Sequence, residues 1–247
     1  MAAYDFSAIR LFLDQPLAPD GQAVLEKSQQ NYLVNVLRLS AGDRLAVFNG
    51  RDGEFAATLA GGGKRTAALS IGERLRAQTP QPNLRWLFAP LKHARLDYMV
   101  QKAVEMGVGT LEPVITRRTQ VSRVNLERMQ ANVVEAAEQC GIISLPLVVA
   151  ERPLPAALAA LEPGTRLVFC DEEAPVRDPA AALAGLPAGP LAVLIGPEGG
   201  FDEAERAMLL ALPDVTRLSL GPRILRADTA AVAALALVQA LCGDWRG

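Results

Sequence analysis

The 247-residue sequence is poor in the residues that disulfide-rich, metal-dependent and membrane proteins need. It contains only three cysteines, which are far apart, and a single histidine, His93. Three scattered thiols form neither a disulfide framework nor a thiolate metal site, and one imidazole excludes the paired histidines of a zinc hydrolase helix. No apolar run approaches the roughly 18 residues that cross a bilayer, and the amino terminus lacks a signal-peptide pattern. We therefore expect a cytoplasmic protein with no metal and no membrane segment.

Common catalytic motifs are absent as well. The sequence has no Gly-x-Ser-x-Gly nucleophile elbow, no Gly-Lys-Ser/Thr phosphate loop and no Gly-x-Gly-x-x-Gly. Each of these motifs supplies a backbone turn that its chemistry requires. Hydrolase chemistry is therefore poorly supported, and the function has to be sought in other segments.

The net charge of −2 hides an asymmetry between the two halves of the chain. Residues 1–130 hold 17 Lys and Arg against 12 Asp and Glu, whereas residues 131–247 hold 8 against 15. The basic half contains a cluster of four arginines, Arg117, Arg118, Arg123 and Arg128. This cluster fits a face that meets phosphates, although solvated helix faces are the simpler interpretation of charge alone.

Local patterns divide the chain into two regions. Residues 1–75 combine one amphipathic helix, at 22–38, with short strands and turn signals, which indicates a small β-barrel. Residues 76–83 are polar, contain two prolines and form the best linker. From residue 84 onward strands alternate with helices, which indicates an α/β domain with a mainly parallel sheet. The expected strands are 9–13, 44–48, 54–59, 66–71, 84–89, 110–115, 146–149, 166–170, 191–195 and 215–218, and the expected helices of the second region are 94–106, 123–140, 178–185, 202–212 and 227–242.

The sharpest local signal is the segment Leu-Ile-Gly-Pro-Glu-Gly-Gly-Phe at residues 194–201. A buried strand ends here in a turn with three glycines, which lets the backbone approach a flat ligand. Asp202 and Glu205 have the spacing of a capping box at the start of the next helix. Ligands bind at the carboxyl ends of parallel strands. The segment fits a ligand loop and a plain strand-to-helix connection equally well.

A second signal lies at residues 218–230, where another expected strand ends in a Gly-Pro turn before the last helix. Two arginines, Arg223 and Arg226, flank an apolar pair there. Arginine beside an apolar loop suits an anion held at the protein surface. In the alternative interpretation, Asp228 caps the last helix and pairs with Arg226.

Taken together, these segments resemble the motifs of the SPOUT (α/β-knot) methyltransferases, and in particular of the RsmE-type family that methylates N3 of a uridine in 16S ribosomal RNA. The matching motifs follow the family order along nearly the whole chain. They are Arg10-Leu11-Phe12-Leu13, Val36-Leu37-Arg38, residues 102–108 (KAVEMGV), Arg117-Arg118-Thr119, residues 138–141 (EQCG), residues 195–201 (IGPEGGF) and residues 220–230 (LGPRILRADTA). Three positions depart from the usual pattern, namely Asn31, Ile142 and Asp228.

The resemblance implies a PUA-like RNA-binding barrel at residues 1–75, a linker at 76–83 and a trefoil-knotted methyltransferase domain at 84–247. It also implies a homodimer that uses S-adenosylmethionine and acts on 16S rRNA or the small ribosomal subunit. The cofactor would contact loops that match Phe169, Cys170, Asp171, Leu194, Ile195, Gly196, Pro197, Glu198, Gly199, Gly200, Leu218, Leu220, Gly221, Ile224, Leu225, Thr229 and Ala230.

The same resemblance directs the choice of catalytic and RNA-binding candidates. Uracil N3 is protonated at neutral pH, so the site must remove that proton or stabilise the imidate that forms. Arg226 is the candidate for stabilising the imidate, and Glu198 is either the base or a residue that orients the turn. The RNA-binding candidates are Arg10, Arg38, Lys92, Arg117, Arg118 and Arg123, with His93, Arg95 and Lys102 as weaker ones. The alternatives are another SPOUT enzyme, acting on ribose 2′-oxygen or transfer RNA, and a non-catalytic RNA-binding assembly factor.

Overall fold

The computed structural model describes residues 8–60, 67–187 and 189–246. The chain forms two compact units, Met1–Pro80 with Ala137–Leu145, and Gln81–Ala136 with Pro146–Gly247. The expected division at residues 75 and 84 placed segment 137–145 in the second domain, whereas the structure groups it with the first unit. The reason is a hydrogen-bonded contact, since the Arg10 guanidinium donates to the carbonyl oxygens of Glu138 at 3.0 Å and Ile142 at 2.8 Å.

The first unit is built around a five-stranded sheet in the order β1-β3-β4-β5-β2. Its strands are β1 (Arg10–Phe12), β2 (Gln22–Val24), β3 (Arg44–Phe48), β4 (Glu54–Ala60) and β5 (Ala68–Arg76). Strand β1 runs parallel to β3, and the other pairs are antiparallel. The turn between β3 and β4 needs Gly53, because this residue has a φ of +100° and a Cβ there would lie 2.4 Å from the carbonyl oxygen of Arg76.

The expected helix at 22–38 is wrong in its first part. Residues 22–24 form strand β2, which pairs with β5, and Val24 is 60% exposed while Ala23 and Leu25 enter the core. This alternation is the period of a strand rather than of a helix. Helix α1 begins only at Lys27 (Lys27–Gln30) and continues as a π-helical turn over Asn31–Val36.

Strand β5 also differs from the expectation for 66–71. Residue 66 lies outside the described residues, and the strand extends to Arg76, the first residue of the expected linker 76–83. The apolar side chains that fill the core of this unit include Leu11, Leu13, Leu33, Val47, Phe55, Leu69 and Ile71.

The second unit has a parallel sheet in the order β12-β10-β11-β6-β7-β8, with β9 paired to β7. Its strands are β6 (Leu84–Phe88), β7 (Thr110–Ile115), β8 (Leu147–Val148), β9 (Arg152–Pro153), β10 (Arg166–Cys170), β11 (Leu191–Ile195) and β12 (Val215–Leu218). Its helices are α2 (His93–Glu105), α3 (Leu126–Gln139, whose last residues belong to the first unit), α4 (Leu154–Ala159), α5 (Pro179–Leu183), α6 (Glu203–Leu210) and α7 (Ala227–Cys242). The predicted alternation of strands and helices is confirmed, while α4 and β9 were not predicted.

The central strands β6, β10 and β11 are hydrophobic throughout most of their length because both faces of the sheet are covered. In β11 all five residues are buried. Leu87, Leu167, Phe169, Ala192 and Leu194 pack into one apolar cluster with Leu209 of α6. In the parts of the chain that the structure describes, no helix is both long and apolar enough to cross a membrane.

Candidate active site

The segments predicted to hold a cofactor meet at one edge of the parallel sheet. Strand β10 lies between β11 and β12, with Phe169 opposite Leu194 and Cys170 opposite Leu218. Since these strands are parallel, the loops that follow them leave the sheet on the same side. The structure therefore brings together residues 169–171, 194–200 and 218–221, which are far apart in the sequence.

The glycine loop after β11 is shaped by an aromatic side chain. A Cβ at Gly196 would lie only 2.5 Å from Cε2 of Phe201. The Phe201 ring in turn packs edge-on against Phe169, with 5.3 Å between the ring centroids. Gly200 has a φ of +69°, in the left-handed region that favours glycine. The loop thus needs glycine both for space and for its turn.

The predicted capping box at the start of α6 is confirmed. The backbone N–H of Glu205 donates to Asp202 Oδ1 at 2.7 Å, and the N–H of Asp202 donates to Glu205 Oε2 at 3.2 Å. The other carboxylate oxygen of Glu205 accepts the backbone N–H of Arg117 at 2.8 Å. Arg118 Nη1 donates to the carbonyl oxygen of Gly199 at 2.7 Å. The loop after β7 that carries Arg117 and Arg118 is therefore hydrogen-bonded to the glycine loop after β11 and to α6.

The side chains of Cys170 and Asp171 serve the structure of the loop after β10. Burial, followed by the charge of Asp171, raises the pKa of the Cys170 thiol to about 12, so this cysteine stays neutral. The buried Asp171 carboxylate accepts hydrogen bonds from Arg217 at 2.6 Å and from Arg206 at 3.0 Å. Its backbone N–H also donates to the carbonyl oxygen of Leu218 at 2.9 Å, so Asp171 holds the loops after β10 and β12 together and presents no free charge to a ligand.

The edge formed by these loops fits a flat, mostly neutral ligand. Ser219, directly after β12, is buried, and its Oγ has no hydrogen-bond partner among the described residues. A buried hydroxyl of this kind is expected to find a partner. A Cβ at Gly200 or Gly221 would meet no atom within 4 Å, so both glycines border open space. Ile224 is 90% exposed, which leaves an apolar side chain available beside the loops.

Other predicted cofactor residues lie around the same edge. Leu218 is buried at the end of β12, whereas Leu220 and Leu225 are half-buried in the loop that follows. Thr229 and Ala230 lie in the first turn of α7. Within the described ranges, no group of three or more His, Cys, Asp or Glu side chains is arranged to hold a metal ion.

An ion-pair cluster connects the two loops that the sequence singled out. Arg95 of α2 donates from Nε to Asp228 Oδ2 at 3.0 Å and from Nη1 to Glu198 Oε1. The hydrogen bond from Arg95 lowers the pKa of Asp228, and the bonds to Asp228 and Glu198 raise the pKa of Arg95. The alternative in which Asp228 pairs with Arg226 is thus wrong, because Arg95 takes its place. From the sequence alone, Arg95 is only one of the weaker RNA-binding candidates, because its two partners are 103 and 133 residues away.

Arg226 is positioned differently from Arg95. It is the cap residue before α7, it is exposed, and its guanidinium has no hydrogen bond or ion pair within the part of the chain that the structure describes. Glu198 is half-exposed, and its Oε1 is the atom that pairs with Arg95. In the described part of the second unit, the sequence next to the glycine loops thus supplies two functional groups. One is the unpaired guanidinium of Arg226, and the other is the Glu198 carboxylate, which Arg95 orients.

The RNA-binding candidates separate into exposed and buried residues. Arg38, Lys92, Arg117, Arg118 and Arg123 are exposed. By contrast, the expectation that Arg10 contacts RNA is corrected by the structure. Arg10 is only 6% exposed, and its guanidinium is occupied by the Glu54 carboxylate and by backbone carbonyl oxygens. A guanidinium that is buried and engaged in this way is not accessible to a phosphate.

Most of the chain is similar to known RNA methyltransferases. A model of an RNA methyltransferase domain matches residues 78–239, and a model of an RNA methyltransferase PUA domain matches residues 25–72. The ribosomal RNA small subunit methyltransferase E of Rickettsia conorii is 30% identical over 234 residues, which cover 94% of this chain and 95% of that protein. The protein of the same name from Synechocystis is 31% identical over 239 residues, covering 95% and 78%.

A solved structure extends the similarity to the fold. The ribosomal RNA small subunit methyltransferase E from Neisseria gonorrhoeae, bound to S-adenosyl methionine, matches with a TM-score of 0.85 and 28% identity. The match covers 96% of this chain and 99% of that one. Both units of the chain thus have counterparts within a single known protein.

Proposed function

The chain belongs to the ribosomal RNA small subunit methyltransferase E family of RNA methyltransferases, and from this premise we propose that it transfers a methyl group from S-adenosylmethionine to N3 of a uridine in 16S ribosomal RNA. Membership also confirms the expected fold class, a SPOUT α/β-knot domain with a small PUA-like domain. The observation that carries the proposal is the convergence of three glycine-rich or apolar loops at one sheet edge.

The cofactor is proposed to lie against residues 169–171, 194–200 and 218–225, with Thr229 and Ala230 beside it. When bound, it supplies a methyl group on a sulfonium sulfur. Backbone groups of these loops and the unpartnered Ser219 hydroxyl would hold the adenine and ribose. The apolar side chain of Ile224 would exclude water from the bound ligand. Most of the rate acceleration then comes from holding the acceptor nitrogen in line with the bond that breaks.

Arg226 is the proposed catalytic residue for the acceptor base. Removal of the N3 proton places negative charge on the two uracil carbonyl oxygens. A guanidinium can donate two hydrogen bonds to that charge, and the guanidinium of Arg226 is exposed and unpaired in the described structure. It therefore has the donors that this step requires.

Glu198 is the proposed acceptor of the N3 proton. Its Oε1 is paired with Arg95, while its Oε2 has no hydrogen-bond partner in the described ranges, and the side chain is 47% exposed. The ion pair fixes the orientation of the carboxylate, which is a condition for general-base catalysis. Arg95 is thus a positioning residue in this scheme.

The RNA is proposed to be recognised outside the duplex. N3 is paired in a helix, so the target base must be unpaired or turned out of the stack. The proposed phosphate contacts are the exposed basic residues Arg38, Lys92, Arg117, Arg118 and Arg123. The buried Arg10 is not among them.

We also propose that the protein acts in the cytoplasm as a homodimer. The outward face of α7 is apolar and only half-buried in the single chain, and it comprises Val232, Ala233, Ala236, Leu237 and Leu241. A helix that is apolar on all sides is typically buried or paired.

The test is mass spectrometry of small-subunit rRNA taken from cells that lack the protein. The RNA is treated with the purified protein and S-adenosylmethionine carrying a labelled methyl group, and we expect label on N3 of one uridine. Label on a ribose oxygen or in transfer RNA would identify a different SPOUT activity, and absence of turnover would leave an assembly factor. Arg226→Ala should bind the cofactor normally and methylate at least 100-fold more slowly, a magnitude of about that order for loss of charge stabilisation.

A further inference from the structure

A concave site lies at the same edge of the sheet, beside the loops proposed to hold the cofactor, residues 169–171, 194–200 and 218–225, which we call the cofactor loops. It is a cavity of about 180 Å³ in the second unit, here named the acceptor cleft. Its walls are residues 90–92 after β6, Arg95 of α2, three residues after β7 (Arg118, Gln120 and Val121) and residues 197–199 after β11. In the sheet, β11 is followed by β6 and then β7. The loop after β11 therefore borders the cofactor loops on one side and the acceptor cleft on the other.

The volume of the acceptor cleft limits the size of the group that it can enclose. Pockets that enclose whole drug-sized molecules measure roughly 300–1,000 Å³. A cavity of about 180 Å³ is too small for an entire S-adenosylmethionine but has room for a single ring. It is thus a site for part of a larger molecule whose remainder stays outside.

The wall chemistry combines apolar surfaces with positive charge. Pro90, Val121 and Pro197 offer apolar contact to the face of a ring. Lys92 and Arg118 are exposed at the same cavity, and the Lys92 ammonium has no hydrogen bond or ion pair among the residues described. This arrangement matches a nucleotide, which has an apolar ring face and an anionic phosphate.

One buried donor also lacks a partner at this cavity. Arg95 Nη2 is buried and donates to no carboxylate or carbonyl oxygen within the described chain, although Nε and Nη1 of the same guanidinium donate to Asp228 and Glu198. Such a donor is expected to be satisfied when the site is filled. Carbonyl oxygens on a pyrimidine ring are acceptors of the right kind.

We propose that the acceptor cleft receives the extruded target pyrimidine, and that Lys92 and Arg118 hold the phosphates that flank it. The inference rests on the proposed function, because it identifies where the acceptor nucleotide of that reaction binds. It places the base next to residues 197–199, and so next to the loop that also borders the cofactor.

The first experiment measures binding without catalysis. The probes are uridine 5′-monophosphate, uridine and inorganic phosphate, titrated by calorimetry against the full-length protein saturated with S-adenosylhomocysteine, so that the cofactor loops are occupied. We expect uridine 5′-monophosphate to bind about tenfold more tightly than uridine, since a charge-assisted phosphate contact has roughly this effect. Lys92→Gln should abolish most of that difference. Equal binding of both probes, or phosphate alone competing as well as the nucleotide, would overturn the proposal.

The second experiment uses RNA and a matched control. Lys92→Gln should raise the KM for small-subunit RNA and reduce the slope of log KM against log salt by about 0.7, the effect of one phosphate contact to a single strand. The Kd for S-adenosylmethionine should not change. Arg166→Gln removes one positive charge at the opposite end of β10, where Arg166 pairs with Asp214 at 3.5 Å, and should leave both RNA parameters unchanged.

The two proposals fail in different ways. If the protein binds uridine 5′-monophosphate through Lys92 but methylates no N3, the acceptor cleft stands and the proposed reaction is wrong. If N3 is methylated and Lys92→Gln alters neither the nucleotide preference nor the salt slope, the reaction stands and the acceptor cleft is wrong.

Discussion

Replacement of Gly196 by alanine tests the geometry of the cofactor loops directly. A Cβ at this position would lie 2.5 Å from Cε2, 2.9 Å from Cζ and 3.2 Å from Cδ2 of Phe201. Carbon atoms that are not bonded prefer about 3.5–4.0 Å, so either the loop or the ring must move by about 1 Å. The ring has little freedom because it packs against Phe169, which is 1% exposed. We therefore expect most of the displacement to occur in the backbone of residues 194–200.

The expected consequences are larger for function than for folding. Overpacking of a well-packed site costs about 1–3 kcal/mol of stability. A misplacement of about 1 Å at a reacting centre can lower the rate about 100-fold. The assays are calorimetric titration with S-adenosylmethionine, steady-state kcat and KM with small-subunit RNA, and urea unfolding of the same preparations. Gly72→Ala in strand β5 is the matched control, since a Cβ there would lie 3.4 Å from its nearest neighbour, the carbonyl oxygen of Ala56, and the residue belongs to the first unit.

A double variant determines whether Phe201 is the cause. Phe201→Leu should restore room for the new methyl group, so cofactor affinity of the combined Gly196→Ala, Phe201→Leu protein should exceed the value that additive effects give. The reasoning is refuted if Gly196→Ala is folded and binds and methylates like the unaltered protein. It is also refuted if the two substitutions show no coupling.

Three further outcomes follow from the buried and bridging charges. Glu54→Gln should destabilise the first unit by about 3–5 kcal/mol in urea unfolding, because Arg10 and Arg76 lose the buried carboxylate between them. Burial raises the pKa of Glu54, but hydrogen bonds from Arg76 and Arg10 outweigh it and lower the pKa below its ordinary value. The stabilisation from the Glu54 carboxylate is therefore complete above the ordinary pKa of a glutamate and is lost as the pH falls through the lower folded-state pKa. At acid pH the difference in unfolding free energy between the unaltered protein and Glu54→Gln should therefore be smaller. Asp228→Asn should lower kcat severalfold in steady-state assays by loosening Arg95 and with it the Glu198 carboxylate, while Asp228→Glu should retain the ion pair and the rate.

The loops of the site were predictable because their signals are local. The glycines of 196–200 and the Asp202–Glu205 capping box lie within ten residues, and the chemistry of a tight turn and a helix start depends on near neighbours. The position of the loops at one edge followed from the alternation of strands and helices, since parallel strands share the direction of their ends. These parts of the site needed no knowledge of distant contacts.

The roles of two arginines could not be read in the same way. Arg10 is matched to Glu54, 44 residues away, and to carbonyl oxygens more than 120 residues away. Arg95 is matched to Glu198 and Asp228, which are 103 and 133 residues away. An arginine that binds phosphate and one that binds a buried carboxylate have the same local sequence signature. Only the folded chain distinguishes an exposed guanidinium from a satisfied one.

The predicted start of the first helix is wrong for a related reason. Val24, Leu25, Leu33 and Val36 have a spacing that fits a helix, yet the chain between 22 and 24 is a strand. The strand gains its hydrogen bonds from β5, whose residues 68–70 come about 45 positions later. Pairing with a distant strand thus outweighs a weak local helical pattern.

The net charge of −2 does not conflict with an RNA substrate once the partners of the charges are known. Several acidic side chains of the site loops are paired with arginines: Asp171 with Arg206 and Arg217, Asp202 with Arg117, and Glu198 and Asp228 with the Arg95 that they share. Lys92, Arg123 and Arg226 remain exposed and without an ion pair in the ranges that the structure describes. Phosphate attraction depends on the charges that face the ligand within about a Debye length, not on the sum over the chain. The sheet edge can therefore attract an anionic strand although the whole molecule is acidic.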